Sequence, residues 1–388
     1  MELIIKLTNK LHKIINAYFI TMEPAISNIS VEEDLFKFTL SGLNVSLANA
    51  LRRTILNDIP ITVIHTETYK DNQCNIEINN TRLHNEILKH RLSCIPIHIK
   101  ELDILPNNYI LELDEKNETE NMKIVTTEHF KIKNKKNGNY LTKNELRKIF
   151  PPCPKTNMYI DFARLRPSLG QTIPGEQIKL TAEFSIHSPK ENSMYNVVST
   201  CSYGNTIDNV KVKEVWSEYE KKLESEQHTK SDIEMQKKNF YLLDAQRYYL
   251  EDSFDFCLES VGVFENKEII KMGCQVLIDK LDTMIVNIEA DIIPIRPSEV
   301  TMENSYDVIL ENEDYTLGKM LEYVLYTSYF ENEKILSFCG FKKFHPHDEE
   351  SIIRLAYIKK GDKNTVRNHV TEACKKSKEI YTKINKMF

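Results

Sequence analysis

The strongest constraint on this chain is a gapless internal repeat. The stretch FKFTLSGLNVSLANALRRTIL (36–56) lies over YDVILENEDYTLGKMLEYVLY (306–326) at a constant offset of 270 residues, so that Leu47 and Leu51 fall on Leu317 and Leu321. Each copy begins with an apolar-rich strand, Phe36, Phe38 and Leu40 in the first and Tyr306, Val308 and Leu310 in the second. A polar loop follows, then Ser46 or Thr316 as the expected N-cap, then a helix. In the first helix Leu47, Ala50, Leu51, Thr54 and Ile55 recur at the three- and four-residue steps that put one stripe against a core. Leu317, Met320, Leu321, Val324 and Leu325 repeat that stripe in the second.

Each copy has a downstream half. SFDFCLES (253–260) alternates Phe254, Phe256 and Leu258 as a half-buried strand does. After Gly262 a helix is expected from about Lys267, with Ile270, Cys274, Leu277, Leu281 and Met284 on one face. SIIRLAY (351–357) is the matching strand, and past Gly361 a helix carries Val366, Val370, Ala373, Ser377, Ile380 and Ile384 in heptad-like steps. The fold class is therefore α+β, built on two modules: 29–65 with 246–290, and a compact 304–388. Residues 291–303, with two prolines and no helix pattern, read as the linker between them, and 1–28 as an N-terminal extension. Burying one Leu or Ile contributes about 1.5–3 kcal/mol. The stripes, centred on Leu47, Leu51, Ile55, Leu277, Leu281, Leu317, Leu321, Leu325, Val370 and Ile380, are thus expected to pair the modules in cis as a pseudo-twofold dimer. The alternative is two unrelated α+β domains whose stripes each face their own sheet.

Between the halves of the first module, residues 66–245 form a long insertion. Strand-like runs such as YILELD (109–114), MKIVTT (122–127) and QIKLTAEFSI (177–186) make it a β-rich subdomain. Within it, LHNEILKHRLSCIPIHI (83–99) reads as a short helix running into an extended, Pro-containing stretch. From Val210 to Leu250 the composition shifts to Glu, Lys and Gln around Trp216, Tyr219 and Leu223, which reads as one surface helix.

The far side of the first helix carries Asn49, Arg52, Arg53 and Leu56. A solvated face has little use for two adjacent arginines beside a leucine. At the repeat offset the second helix has Lys319, Glu322, Tyr323 and Tyr326, so the two modules offer different outer surfaces. A net charge of −6 argues against extensive wrapping of nucleic acid by this chain. The eight cysteines form no CxxC pair and read as free thiols of a reducing compartment. The start, MELIIKLTNKLHKIINAYFI, is broken by Glu2, Lys6, Lys10 and Lys13, so an amphipathic or unstructured extension is expected rather than a membrane span. Walker, GxGxxG, HExxH and GxSxG motifs are absent, as is an aspartate cluster for paired Mg²⁺. FHPHDEE (344–350) brings His345, His347, Asp348 and Glu349 together and is read as a polar turn rather than a metal site. His84 and His90, six apart, share no helical face. Arg82 and Arg91 suit phosphates or, equally, carboxylate or carbonyl partners. No catalytic residue, metal or cofactor is expected.

The segments FTLSGLNVSLANALRRTILNDIP (38–60), NEILKHRLSCIPIHI (85–99), LRPSLGQTIPGEQIKLTAEF (165–184) and FDFCLESVGVFENKEIIKMGCQVLIDKL (254–281) resemble the RNA polymerase α-subunit-like family, in particular the third-largest subunit of eukaryotic and archaeal polymerases. EDYTLGKMLEYVL (313–325) and FCGFKKFHPHDEESIIRLAY (338–357) resemble the small partner of that subunit. The resemblance covers about 29–200 and 251–388. Tyr315 stands where the family usually has His, Lys319 where it has Asn and Phe341 where it has Tyr. The zinc-binding cysteine loop of some third-largest subunits is missing. Fusion of both partners in one chain resembles large cytoplasmic DNA viruses, whose AT-rich genomes also suit a chain rich in Asn, Lys and Ile.

The resemblance implies two α-like dimerisation modules, the first split by the insertion. It implies a non-catalytic platform that docks the two largest polymerase subunits, with other polymerase subunits as further partners. DNA and RNA would be reached only through the complex, and no membrane is involved. The location implied is intracellular, and for a virus the host cytoplasm and the virion. The docking surface expected is Asn49, Arg52, Arg53, Leu56, His90, Arg91, Lys319 and Tyr323. The forks of Arg52 and Arg53 suit carboxylates of the second-largest subunit. The alternative for either arginine is an acid in the insertion. The competing function is a stand-alone nucleic-acid-binding adaptor that uses the lysines of the insertion.

Overall fold

A computed structural model describes residues 22–168, 170, 173–299 and 302–388. Residues 1–21 of the extension expected at 1–28, and Val300 and Thr301 of the expected linker, lie outside the described residues; residues 25–28 of that extension are instead strand, with 25–27 paired to 39–41. In chain order the first strands are β1 (Ala25–Glu32), β2 (Leu35–Ser41), β3 (Ile61–Val63), β4 (Cys74–Asn79), β5 (Tyr109–Lys116), β6 (Lys123–Thr126), β7 (Lys131–Asn134) and β8 (Asp161–Leu165). Then follow β9 (Gln177–Glu183), β10 (Ser185–His187), β11 (Val198–Ile207), β12 (Tyr249–Ser260), β13 (Ile295–Pro297), β14 (Ser305–Glu311), β15 (Leu336–Lys342) and β16 (Glu350–Tyr357). The helices are α1 (Val45–Asn57), α2 (Asn85–Ser93), α3 (Lys143–Ile149), α4 (Asn209–Ser225), α5 (Lys230–Leu242), α6 (Asn266–Glu289), α7 (Tyr315–Leu325) and α8 (Lys363–Met387). The described chain divides into two compact units, 22–54 with 200–259 and 270–388, and 55–199 with 260–269. Among the described residues, no helix is long and apolar enough to cross a membrane.

The first unit holds two four-stranded sheets, ordered β1-β2-β12-β11 and β13-β14-β16-β15. In β2 the side chains of Phe36, Phe38 and Leu40 are buried. Phe38 lies opposite Phe256 of β12 and stacks on it, with ring centroids 5.0 Å apart. In β14, Val308 lies opposite Ile353 of β16, and both are fully buried. β2 and β14 occupy 35–41 and 305–311, and α1 and α7 begin at 45 and 315, so the sequence repeat survives as a repeat of element bounds.

The long helices carry the rest of this core. α6 and α8 have 24 and 25 residues, about 36 Å each at 1.5 Å per residue. Tyr381 of α8 is fully buried and its hydroxyl donates to the Leu47 carbonyl of α1 at 3.0 Å. Lys378 Nζ reaches Asp282 Oδ1 of α6 at 2.6 Å, and the Phe388 ring meets Phe38 edge-on at 5.0 Å. The C-terminal helix therefore touches the helices and the strand of the first sheet. All the stripe residues from Leu47 to Ile380 named above are buried.

Two segments differ from the sequence expectation. Residues 210–250 form a helical hairpin, α4 and α5, rather than one surface helix. Asp208 caps α4 by accepting from Val210 N and Lys211 N, and Thr229 opens α5 by accepting from Asp232 N. Trp216 and Phe240 close a small core of their own with Val212, Leu223 and Ala245. Five apolar anchors in a run of Glu and Lys are too sparse for periodicity to reveal the break at Thr229. The expected linker also contributes structure, because β13 pairs with β14 through Ile295↔Val308. Its Pro297 lacks an N–H, which an edge strand tolerates.

The second unit is strand-rich: a sheet ordered β4-β9-β5-β7 and two ribbons, β10-β3 and β6-β8. Leu88 and Leu92 of α2 share one core with Leu111, Phe130, Phe162 and Leu180. α2 thereby sits against the strands through one apolar face and leaves His90 and Arg91 outside.

Candidate functional site

The approach to α1 is set by Gly42, whose φ is +75° and where a Cβ would lie 2.2 Å from the Glu23 carbonyl oxygen. Only glycine fits that left-handed, crowded position. Asn44 Oδ1 then accepts from Ser46 N at 2.8 Å, so Asn44 rather than Ser46 satisfies the free amides at the helix start. In the second half Asp314, not Thr316, is the N-cap: its Oδ1 accepts from Thr316 N at 2.8 Å. Both corrections move the cap by two residues, and Asn44 and Asp314 stand at the same repeat offset.

Freed from capping, the Thr316 hydroxyl accepts from Arg53 Nε at 2.8 Å, while Arg53 Nη2 donates to Asp314 Oδ2 at 2.5 Å. The guanidinium of the first helix thus clasps the start of the second, with side chains 31% and 41% exposed. Burial works to raise the Asp314 carboxyl, but the Thr316 and Arg53 hydrogen bonds outweigh it and hold the group below the usual carboxylate value. Sequence reasoning offered Arg53 an outside subunit or an acid of the insertion. Its partners are instead Asp314 and Thr316 at the start of α7.

Arg52 is placed differently. Its Nε donates to Asn49 Oδ1 at 3.0 Å, one turn back, and its terminal amino groups make no hydrogen bond among the described residues. Its charge is felt by Cys201 and Tyr203, where burial pushes the thiol to about 12 and raises the phenol, and Arg52 works against both. Asn49, Arg52 and Leu56 are all half-buried. In α7, Lys319 is exposed and pairs with Glu322 at 2.5 Å, whereas burial raises the half-buried Tyr323. In the second unit His90 is exposed and Arg91 donates to the Phe162 and Asp161 carbonyls at 2.9 and 2.6 Å. Of the two readings offered for Arg91, the carbonyl one describes these contacts.

The sequence model of the RNA polymerase Rpb3/Rpb11 dimerisation domain matches residues 37–281. The chain belongs to this family. DNA-directed RNA polymerase subunit Rpo3 of Pyrococcus furiosus is 45% identical over 67 residues, 17% of this chain and 23% of that protein. Subunit 3B of the DNA-directed RNA polymerases IV and V of Arabidopsis thaliana is 35% identical over 74 residues, 19% of this chain and 21% of its own. DNA-directed RNA polymerase II subunit rpb3 of Dictyostelium discoideum is 31% identical over 84 residues, 22% of this chain and 26% of its own. The similarity thus spans about a quarter or less of each of these relatives.

Among the cysteines, Cys94 and Cys153 are exposed, and hydrogen bonding with Thr156 holds the Cys153 thiol below its usual value. The eight cysteines are free, and burial pushes Cys74 to about 11 and Cys374 to about 12, which keeps both as thiols at neutral pH. His345 and His347 face one another at 5.2 Å, and among the described residues no three metal-ligating side chains converge. Tyr381 and Asp314 were not anticipated. Tyr381 was legible in principle, four residues after Ser377 and three before Ile384 in the same seam.

Proposed function

We propose that this chain is a non-catalytic assembly platform of a multisubunit DNA-directed RNA polymerase. It comprises two α-like dimerisation modules fused in one chain and paired in cis, the first split by the insertion at 66–245. The observation that carries the reading is the Rpb3/Rpb11 dimerisation-domain match over 37–281. The second strand–cap–helix unit at the same offset, with its helix start held by Arg53, supports the fused pairing. The outer face of α1 docks a large subunit through Arg52, with Asn49 and Leu56 beside it. Lys319 and Tyr323 form the counterpart in the second module, and His90 and Arg91 are a docking surface of the insertion itself. The fused arrangement and the Asn-, Lys- and Ile-rich composition support a large cytoplasmic DNA virus as its setting, with the complex in the host cytoplasm and the virion.

Affinity purification of the tagged full chain from its own host tests this directly. Two very large polymerase subunits should co-purify in stoichiometric amounts, and a chain recovered without them refutes the platform. Arg52→Glu should leave the melting temperature unchanged, because its one hydrogen bond is local. It should lower recovery of the large subunits about tenfold, as loss of an interface anchor does. Full recovery with this variant removes the α1 face as the docking site.

A further inference from the structure

The second unit contains a cavity of about 640 Å³ whose wall is unusually rich in arginine: Arg82, Arg91, Arg164 and Arg166 line it with Met122 and Phe162. Two of these arginines are committed. Arg91 is fixed on the Asp161 and Phe162 carbonyls, and Arg166 Nε bonds to Glu176 Oε1 at 2.5 Å. The other two are not. Arg164 reaches Asp161 Oδ2 only at 3.2 Å, with its side chain 65% exposed, and Arg82 makes no hydrogen bond or ion pair among the described residues. Four guanidiniums against the two carboxylates that pair with them leave an excess of positive charge in a chain whose net charge is −6.

The apolar surroundings select the class of ligand. Met122 of the wall is 59% exposed, and outside the wall Ile124, 47% exposed, lies directly opposite the lining residue Arg164 in the β6–β8 register. The aromatic ring of the wall, Phe162, is fully buried and offers no platform for stacking a nucleic acid base. Forked donors beside exposed aliphatic side chains fit carboxylates interspersed with apolar residues. We infer that this cavity docks an acidic, partly apolar peptide segment of another protein. The segment's carboxylates pair with Arg82 and Arg164, and its apolar side chains cover Met122 and Ile124. Arg91 and Arg166 act as fixed positive walls.

A selection of short random peptides displayed on phage against the full chain tests this, and it does not depend on the polymerase reading. The selected peptides should be enriched in Asp and Glu alternating with aliphatic residues. The synthesised peptides should bind the double variant Arg82→Glu, Arg164→Glu about tenfold or more weakly in fluorescence anisotropy. That variant should melt like the wild type, since neither arginine holds the main chain. If it does not, Arg82→Ala with Arg164→Ala must show the same direction of effect. Peptides without an acidic bias, equal binding to the folded variants, or a selection that returns no binder each overturn the proposal. Tighter binding of single-stranded oligouridine than of any selected peptide also overturns it, in favour of a nucleic acid site.

Discussion

Arg53 joins two residues that lie 261 and 263 positions away in the chain. Because one fork engages both a carboxylate and a hydroxyl, a lysine at this position cannot reproduce the pair. For half-exposed partners the expected contribution is modest, about 1 kcal/mol. Arg53→Ala should therefore lower the unfolding free energy by about 1 kcal/mol in urea titration, and Arg53→Lys should recover only part of it. The pH dependence has a definite sign. Asp314 is held below its ordinary value in the fold, so its contribution is full above about pH 4 and is lost as pH falls through the folded value. Arg53→Ala should flatten that acid limb, and an acid limb identical to wild type would show that the clasp does not stabilise the fold. Tyr315 and Phe341 meet edge-on with ring centroids 5.2 Å apart, and a Cβ at Gly318 would lie 2.1 Å from Phe341 Cε2. The two rings thus pack against each other over a glycine that makes room for them.

At the scale of elements, the α4–α5 hairpin stands on very few buried side chains, with the chain's lone tryptophan at their centre. Among the described residues the buried Trp216 Nε1 has no hydrogen-bond partner, which weakens this small core further. Tryptophan fluorescence should therefore report a urea transition at lower denaturant than far-UV circular dichroism, because the hairpin opens before the sheets. Coincident transitions would show instead that the hairpin unfolds with the rest. The hairpin also shows where sequence reading stops. Strands β2 and β14 and helices α1 and α7 were legible, because a period and an offset are local properties repeated twice. The cap was misassigned within a loop that holds several oxygen-bearing side chains, since spacing alone does not choose between Asn44 and Ser46. The partner of Arg53 was not legible at all, because nothing local in RRTIL records an aspartate in the other half of the chain.

For the whole molecule, either chain connectivity or packing holds the two halves of the first unit together. The contacts between them are side-chain contacts of folded elements: Tyr381 on Leu47, Phe388 on Phe38, Lys378 on Asp282 and Arg53 on Asp314. Each fully buried apolar side chain adds about 1.5–3 kcal/mol, so a seam of several such residues exceeds any single polar tie. A covalent linker then sets the effective concentration of the halves rather than creating their affinity. A protease site inserted at Met302, which is exposed, separates the chain ahead of β14 after folding is complete. The cut protein should elute as one particle of the intact mass, with both fragments present, and the uncut chain should be a monomer by light scattering. Adding Tyr381→Ala removes a buried ring and its bond to the Leu47 carbonyl, and should release the C-terminal fragment at far lower urea. Fragments that separate in buffer alone would mean that the halves are tethered rather than paired, and a stable dimer of the uncut chain would mean that the seam is shared between copies.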